Sequence, residues 1–122
     1  MLFRSDRILL GLTTGNVEEA AHIKLARANL NRYFSFGGYG SDSSDRVELT
    51  KVALKRGELV SGDTLDLARC FSCGDTPRDV EAGHGAGIRV VGVATGEYTT
   101  EELVEAGADA VVHSLVEGLP LL

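Results

Sequence analysis

The chain has 122 residues, 43% of them hydrophobic and 25% charged, a globular composition with enough length for one core but not for a second independent fold. Twelve Lys and Arg stand against eighteen Asp and Glu, and the resulting net charge of -6 excludes a nucleic-acid backbone as main partner, since that binding draws on clustered cations. No apolar run reaches the ~18–20 residues of a membrane span, and Met1-Leu2-Phe3-Arg4 lacks the apolar centre of a signal peptide, so neither a membrane nor secretion is expected.

Residues 7 to 14, Arg-Ile-Leu-Leu-Gly-Leu-Thr-Thr, form an apolar run ending in hydroxyls, the pattern of a strand covered on both faces. Gly15 and Asn16 turn the chain, and Asn16 is the expected N-cap of a helix from Val17 to about Leu30 with Glu18 and Glu19 in its first turn. Tyr33 to Phe36 is expected as a second short strand. The run from Gly37 to Ser44, rich in Gly and Ser, is then either a plain surface turn or a site loop shaped by its glycines. Asp45 caps a predicted helix from Arg46 to about Gly57, whose inward stripe is Leu49, Val52, Ala53 and the stem of Arg56. Residues 57 to 68 read as a polar connection.

Cys70 to Cys73 is the next strand, and Gly74-Asp75-Thr76-Pro77 turns it into a helix running to about Ala86 and closed by Gly87. The spacing puts Cys70 and Cys73 on opposite faces of one strand, which predicts reduced core thiols and a cytoplasmic protein. Ile88 to Ala94 is the clearest strand, Thr100 to Gly107 a capped helix, and Ala110-Val111-Val112 a last strand. A terminal turn or brief helix is expected to start at Ser114. Strands alternating with helices predict an α/β fold, a three-layer Rossmann-like arrangement around a mostly parallel sheet. Ligands of such sheets lie at the carboxyl ends of the strands, where Asp75 and Asp79 can face one crevice and suit a hard cation.

The segment from Gly74 to Val112, GDTPRDVEAGHGAGIRVVGVATGEYTTEELVEAGADAVV, resembles the haloacid dehalogenase-like hydrolases, and within them the phosphoglycolate phosphatase-like branch. LGLTTGN and YFSFGGYGSDSSDR, in matching order, extend the likeness over almost the whole chain. The resemblance implies a single partial core domain over residues 1–122, without a cap, and a chemistry of Mg2+-dependent phosphomonoester hydrolysis on a small phosphorylated molecule. It implies that Asp75, with Asp79 as acidic companion, holds Mg2+, and that Thr14, with Gly15 and Asn16 beside it, hydrogen-bonds the phosphoryl group. The basic residue that steadies phosphate falls on Arg46, with Lys24 as the alternative. Plain readings stand beside these: Asp75 and Asp79 as helix caps, Thr14 as a strand-end hydroxyl, Arg46 and Lys24 as solvated helix residues.

The family's DxD motif, whose first Asp attacks phosphorus, is absent: the chain begins at the family's second-motif strand, Asp6 precedes its strand, and Asp63-Thr64-Leu65-Asp66 follows no strong one. The strand that carries the motif is the usual first central strand of the sheet. Its absence leaves either two half-sheets or a direct pairing of the strands on either side; because unpaired central backbone groups would be costly if buried, the Ile8–Thr13 strand is expected to pair with the Cys70–Cys73 strand, or a partner to fill the slot, as a homodimer or a complementing chain. Two functions follow: a hydrolase fragment inactive as an isolated chain, or a noncatalytic remnant acting in assembly or weak ligand binding.

Overall fold

The computed structural model describes residues 9–114; Asp6 and the turn expected beyond Ser114 lie outside them. The chain divides into two compact units, residues 1–65 and 66–122.

The first unit holds β1 (Gly11–Thr13), α1 (Glu18–Arg27), a 3-10 turn at Asn31–Tyr33, β2 (Phe36–Gly38) and α2 (Arg46–Ser61). The two strands are parallel, with Gly11 opposite Phe36, Leu12 opposite Gly37 and Thr13 opposite Gly38. The second strand therefore starts at Phe36 and runs into the glycines, while Tyr33 belongs to the 3-10 turn instead. The reason is close packing. A methyl group on Gly38 would collide with the Leu49 carbonyl oxygen of α2, and one on Gly37 would sit 2.9 Å from the Leu12 carbonyl oxygen. Gly37 and Gly38 are thus buried strand residues, not the start of a flexible loop.

Three helix ends also differ from expectation. Val17, not Asn16, occupies the N-cap position of α1 and, being apolar, makes no side-chain cap bond, while the Asn16 amide is engaged with Thr14. At the other end α1 stops at Arg27, and Asn29 takes a left-handed φ of 59°. Asp45 caps α2 as expected, its side chain accepting from the Val47 N–H. The helix then runs past Gly57 for another turn and ends at the left-handed Gly62, φ 76°. Gly57 is a packing residue: a side chain there would press on the Phe36 ring at 3.1 Å. Leu49 and Ala53 form the buried stripe, joined by Thr50.

The second unit contains a 3-10 turn at Leu67–Arg69, β3 (Phe71–Gly74), α3 (Pro77–Gly85), β4 (Arg89–Val93), α4 (Thr100–Glu105) and β5 (Ala110–Val112). Its three strands are parallel in the order β3-β4-β5. Val90 and Val91 of the central strand are fully buried, as are Val80 of α3 and Leu103 of α4, so the helices cover the sheet with their apolar faces. Gly83 lets α3 lie on β4, where a methyl group would collide with Val90. Both helices end in left-handed glycines, Gly87 at φ 86° and Gly107 at φ 100°. The two thiols are not bridged to each other, and they are not core residues: Cys70, whose thiol donates to the Asp66 carbonyl oxygen at 3.4 Å, is half-buried and Cys73 exposed.

Among the described residues the architecture is an α/β fold of parallel strands with flanking helices, in two sheets of two and three strands. Among the described residues β1 pairs with β2, and β3 with β4, so the direct pairing of β1 with β3 is not formed. Each strand finds its ladder in the next strand of its own strand–helix–strand unit. Leu103, with none of its surface exposed, carries the packing of α4. Leu103→Ala is expected to cost about 2–5 kcal/mol, read as a lower urea midpoint at unchanged slope.

Candidate phosphate- and cation-binding residues

In the first unit the loops following β1 and β2 meet at the carboxyl ends of the strands. The Gly40 N–H donates to the Asn16 carbonyl oxygen at 2.7 Å, and the Glu18 N–H donates to the Ser41 hydroxyl at 3.2 Å. Contact this close needs glycine at position 40, since a Cβ would collide with the Gly15 carbonyl oxygen. The Thr14 N–H continues the β1–β2 ladder by donating to the Gly38 carbonyl oxygen at 3.1 Å.

These contacts bring four of the residues singled out by sequence to one place. The half-buried Thr14 hydroxyl oxygen accepts from the Asn16 backbone N–H and from its side-chain Nδ2, both at 3.1 Å. Lys24 Nζ reaches back from α1 to donate to Asn16 Oδ1 at 3.3 Å. Arg46 opens α2 with its guanidinium beside Gly15, where a Cβ would lie 3.6 Å from it. Both basic candidates thus converge on the Thr14–Asn16 turn.

A latch that the sequence reading missed holds the second loop. Arg56 donates from Nη1 and Nη2 to the two oxygens of Asp42, each at 2.7 Å, and from Nη1 to the Gly37 carbonyl oxygen at 2.9 Å. Asp42 also accepts from the Tyr39 N–H at 2.9 Å. The expectation placed only the stem of Arg56 inward. The signal available was an Asp within the glycine loop and an Arg on the helix that follows it, whose fork can pair with both carboxylate oxygens.

In the second unit, Asp75 follows β3 and Asp79 sits in the first turn of α3. Asp79 Oδ2 accepts from the Asp75 N–H at 3.0 Å, the Thr76 N–H at 3.1 Å and the Thr76 hydroxyl at 3.1 Å, while its own N–H donates to Thr76 Oγ1 at 3.3 Å. This is a reciprocal capping box, with Pro77 at the start of the helix. Gly74 makes room for it, because a Cβ there would collide with the Asp79 side chain. One oxygen of Asp79 is therefore fully used in shaping the turn that presents Asp75. The Asp75 carboxylate makes no side-chain hydrogen bond among the described residues and is exposed. It packs against the backbone at Gly96, where a Cβ would lie 2.7 Å from Oδ2, so the bare backbone after β4 preserves its space.

No group of three or more His, Cys, Asp or Glu side chains able to hold a metal ion occurs among the described residues. The chemistry of Asp75 still fits Mg2+, which takes one or two carboxylates and fills its octahedron with water and phosphate oxygens. Asp63 and Asp66 do other work: Asp63 Oδ1 accepts from the Thr64 N–H at 2.9 Å, and Asp66 caps the 3-10 turn through the Ala68 N–H at 3.0 Å. His84 Nε2 bonds Asp109 Oδ2 at 2.8 Å. Asp109 Oδ2 also accepts from the Val90 N–H at 2.8 Å, and its own N–H donates to the Val90 carbonyl oxygen at 2.9 Å. It thereby ties the starts of β4 and β5 together.

A parallel α/β chain with hydroxyl, basic and acidic residues after its strands belongs to the class of folds that place ligand sites at the carboxyl ends of their strands. The particular family follows from comparison: residues 46–118 match the HAD-hydrolase-like family model, and the chain belongs to the haloacid dehalogenase-like hydrolases. No curated protein matches it. Among solved structures it is similar to a "putative beta-phosphoglucomutase" from Thermotoga maritima, at 28% identity and TM-score 0.74 over 88% of this chain and 49% of that one. It is also similar in fold to a "putative phosphatase" from Clostridium difficile, at 19% identity and TM-score 0.75 over 93% of this chain and 53% of that one. A third, a "predicted phosphatase" from Clostridium acetobutylicum, has 23% identity and TM-score 0.68 over 88% and 49%. The chain spans about half the length of each. Among the described residues no helix is long and apolar enough to cross a membrane.

The Arg56 fork, and after it the Tyr39 N–H, holds the Asp42 carboxyl below the usual carboxylate range. A depressed folded-state value makes the latch's contribution complete above the unfolded value near 4 and lost as pH falls through the lower folded one. The Tyr39 amide is therefore expected to stay protected from hydrogen exchange through about pH 4 and to lose protection only at lower pH, as the carboxylate is protonated in the folded state. In Asp42→Asn that protection should be weak at every pH.

Proposed function

We propose that residues 1–122 are one partial core domain of a haloacid dehalogenase-like hydrolase. Its family chemistry is phosphomonoester hydrolysis of the phosphoglycolate phosphatase-like kind, and the 122-residue chain alone binds phosphate without turning it over. The observation that carries this reading is the convergence of Thr14, Arg46 and Lys24 on one turn at the carboxyl ends of β1 and β2. In the proposed roles Thr14 donates its hydroxyl to a phosphate oxygen and Arg46 supplies charge at short range. An arginine in place of the family's usual lysine offers a planar fork with several donors, which suits a tetrahedral anion as well as a point charge does.

Asp75 is the proposed Mg2+ ligand, with Asp79 chiefly as the residue that shapes its turn. When bound, the ion would offset charge on the phosphate. Asp75 itself would supply an unshared carboxylate at the strand end, kept clear by Gly96. What the polypeptide lacks is an attacking group: it contains no Asp-x-Asp sequence, and Asp63 and Asp66 are committed to turns. A carboxylate nucleophile is needed for covalent phosphoryl transfer in this family, and hydroxyl and basic groups that only bind cannot replace it. The nucleophile would have to come from a complementing chain or segment. A cytoplasmic setting, where small phosphomonoesters and Mg2+ are plentiful, is part of the same reading.

The purified chain is expected to release no phosphate from a panel of phosphomonoesters with Mg2+. Mn2+, used as a paramagnetic stand-in, should broaden the amide signals around Asp75, and Asp75→Asn should abolish that broadening. Turnover by the wild-type chain that Asp75→Asn removes would overturn the non-turnover reading. Unbroadened signals in the wild type would overturn the metal role.

A further inference from the structure

The hydrogen bonds around Thr14 fix more than its position. A threonine hydroxyl has two acceptor lone pairs and one proton to donate. Both lone pairs are taken here, one by the Asn16 backbone N–H and one by Asn16 Nδ2, each at 3.1 Å. The proton is what remains, and among the described residues no hydrogen bond is donated by the Thr14 hydroxyl. Toward a ligand the hydroxyl can therefore act as a donor only.

The side chain of Asn16 is locked by the same logic. An amide can present its oxygen or its nitrogen in either direction, and its neighbours decide which. Lys24 Nζ carries donors and no acceptor, so the group it meets at 3.3 Å has to be the amide oxygen. That turns the amide nitrogen onto Thr14. The sequence of interactions is Lys24 to Asn16 to Thr14, all within the first unit and all toward the turn on which Gly40 closes.

We propose that Asn16 is a positioning residue that makes Thr14 a one-way hydrogen-bond donor, selecting a ligand atom that only accepts, such as an ionised phosphate oxygen. Lys24 acts through Asn16 by holding the amide in the required orientation, while Arg46 beside Gly15 is the cation that meets the ligand. The proposal rests on the phosphate-binding reading of this turn. It adds that the residue following the strand-end pair Thr14-Gly15 sets the polarity of the site. It also explains why Asn16 does not cap α1: its side chain is committed to the hydroxyl.

Two measurements test it separately. The first is the NMR signal of the Asn16 side-chain amide in the ligand-free chain. The two Nδ2 protons are expected to be well separated and slow to exchange, and both properties should be lost in Thr14→Val and weakened in Lys24→Met. An Asn16 amide that is unchanged in Thr14→Val would overturn the proposal whether or not phosphate binds.

The second is a double-mutant cycle on inorganic phosphate affinity with Asn16→Ala, Thr14→Val and the pair, each checked for a folded amide spectrum. Asn16→Ala alone is expected to weaken phosphate roughly three- to tenfold, the worth of one oriented hydrogen bond. Added to Thr14→Val it should cost nothing further, because its effect passes through the hydroxyl. Thr14→Ser, which keeps the hydroxyl, should retain most of the affinity. Fully additive losses would mean that Asn16 meets the ligand itself and would overturn the positioning role. A wild-type chain that binds no phosphate would defeat the phosphate-binding reading, and the Asn16 amide signal would then decide the hydrogen-bond relay by itself.

Discussion

The first unit depends on one backbone contact, the Gly40 N–H to the Asn16 carbonyl oxygen at 2.7 Å. Parallel strands deliver their following loops to the same edge of the sheet, but delivery alone leaves those loops apart. The bond between Gly40 and Asn16 brings one against the other, and it can form only because position 40 has no side chain to strike the Gly15 carbonyl. From it follow the placement of Thr14 and Asn16, the reach of Lys24 from α1, and the position of Arg46 over Gly15. The Asp42–Arg56 fork secures the same loop from behind, so the geometry is held at two points.

The second unit solves a similar problem with an oxygen instead of a glycine contact. Asp79 gathers three donors onto Oδ2 and so closes the turn between β3 and α3. Sequence reasoning saw two acids four residues apart and allowed both to hold a cation. The structure separates their work: Asp79 is drawn inward to satisfy amides that the helix start would otherwise leave unpaired, and Asp75 is left open beside Gly96. Asp109 plays a comparable part at the opposite ends of the strands, where it satisfies the Val90 amide and holds His84.

Much of the fold was legible because its signals are local. The Val-rich run of β4, the Thr76-Pro77 start of α3 and the left-handed Gly87 and Gly107 each follow from one or two residues, and each appears where the pattern put it, within a residue or two. What failed to show was long-range. Gly37 and Gly38 look like loop residues until α2 lies across them, and Gly57 looks like a helix end until the Phe36 ring occupies its missing side chain. Asn16 has the identity of a helix cap, and only the positions of Thr14 and Lys24 show that its amide is claimed elsewhere. The Arg56 fork was hidden because its partner is 14 residues away. The family likeness, in turn, marked Thr14, Lys24, Arg46, Asp75 and Asp79, but it could not say which of them would touch one another.

Gly57 has a consequence for how the first unit comes together. A glycine inside a helix lowers its intrinsic stability by about 1 kcal/mol relative to alanine, and α2 carries this one four residues before its end. The final turn of α2 is therefore sustained by Phe36 and Leu65 packed against the gap, not by the helix's own preference. In the unfolded chain that turn would come and go. Its persistence signals that β2 has already docked, so the end of the helix reports on the strand.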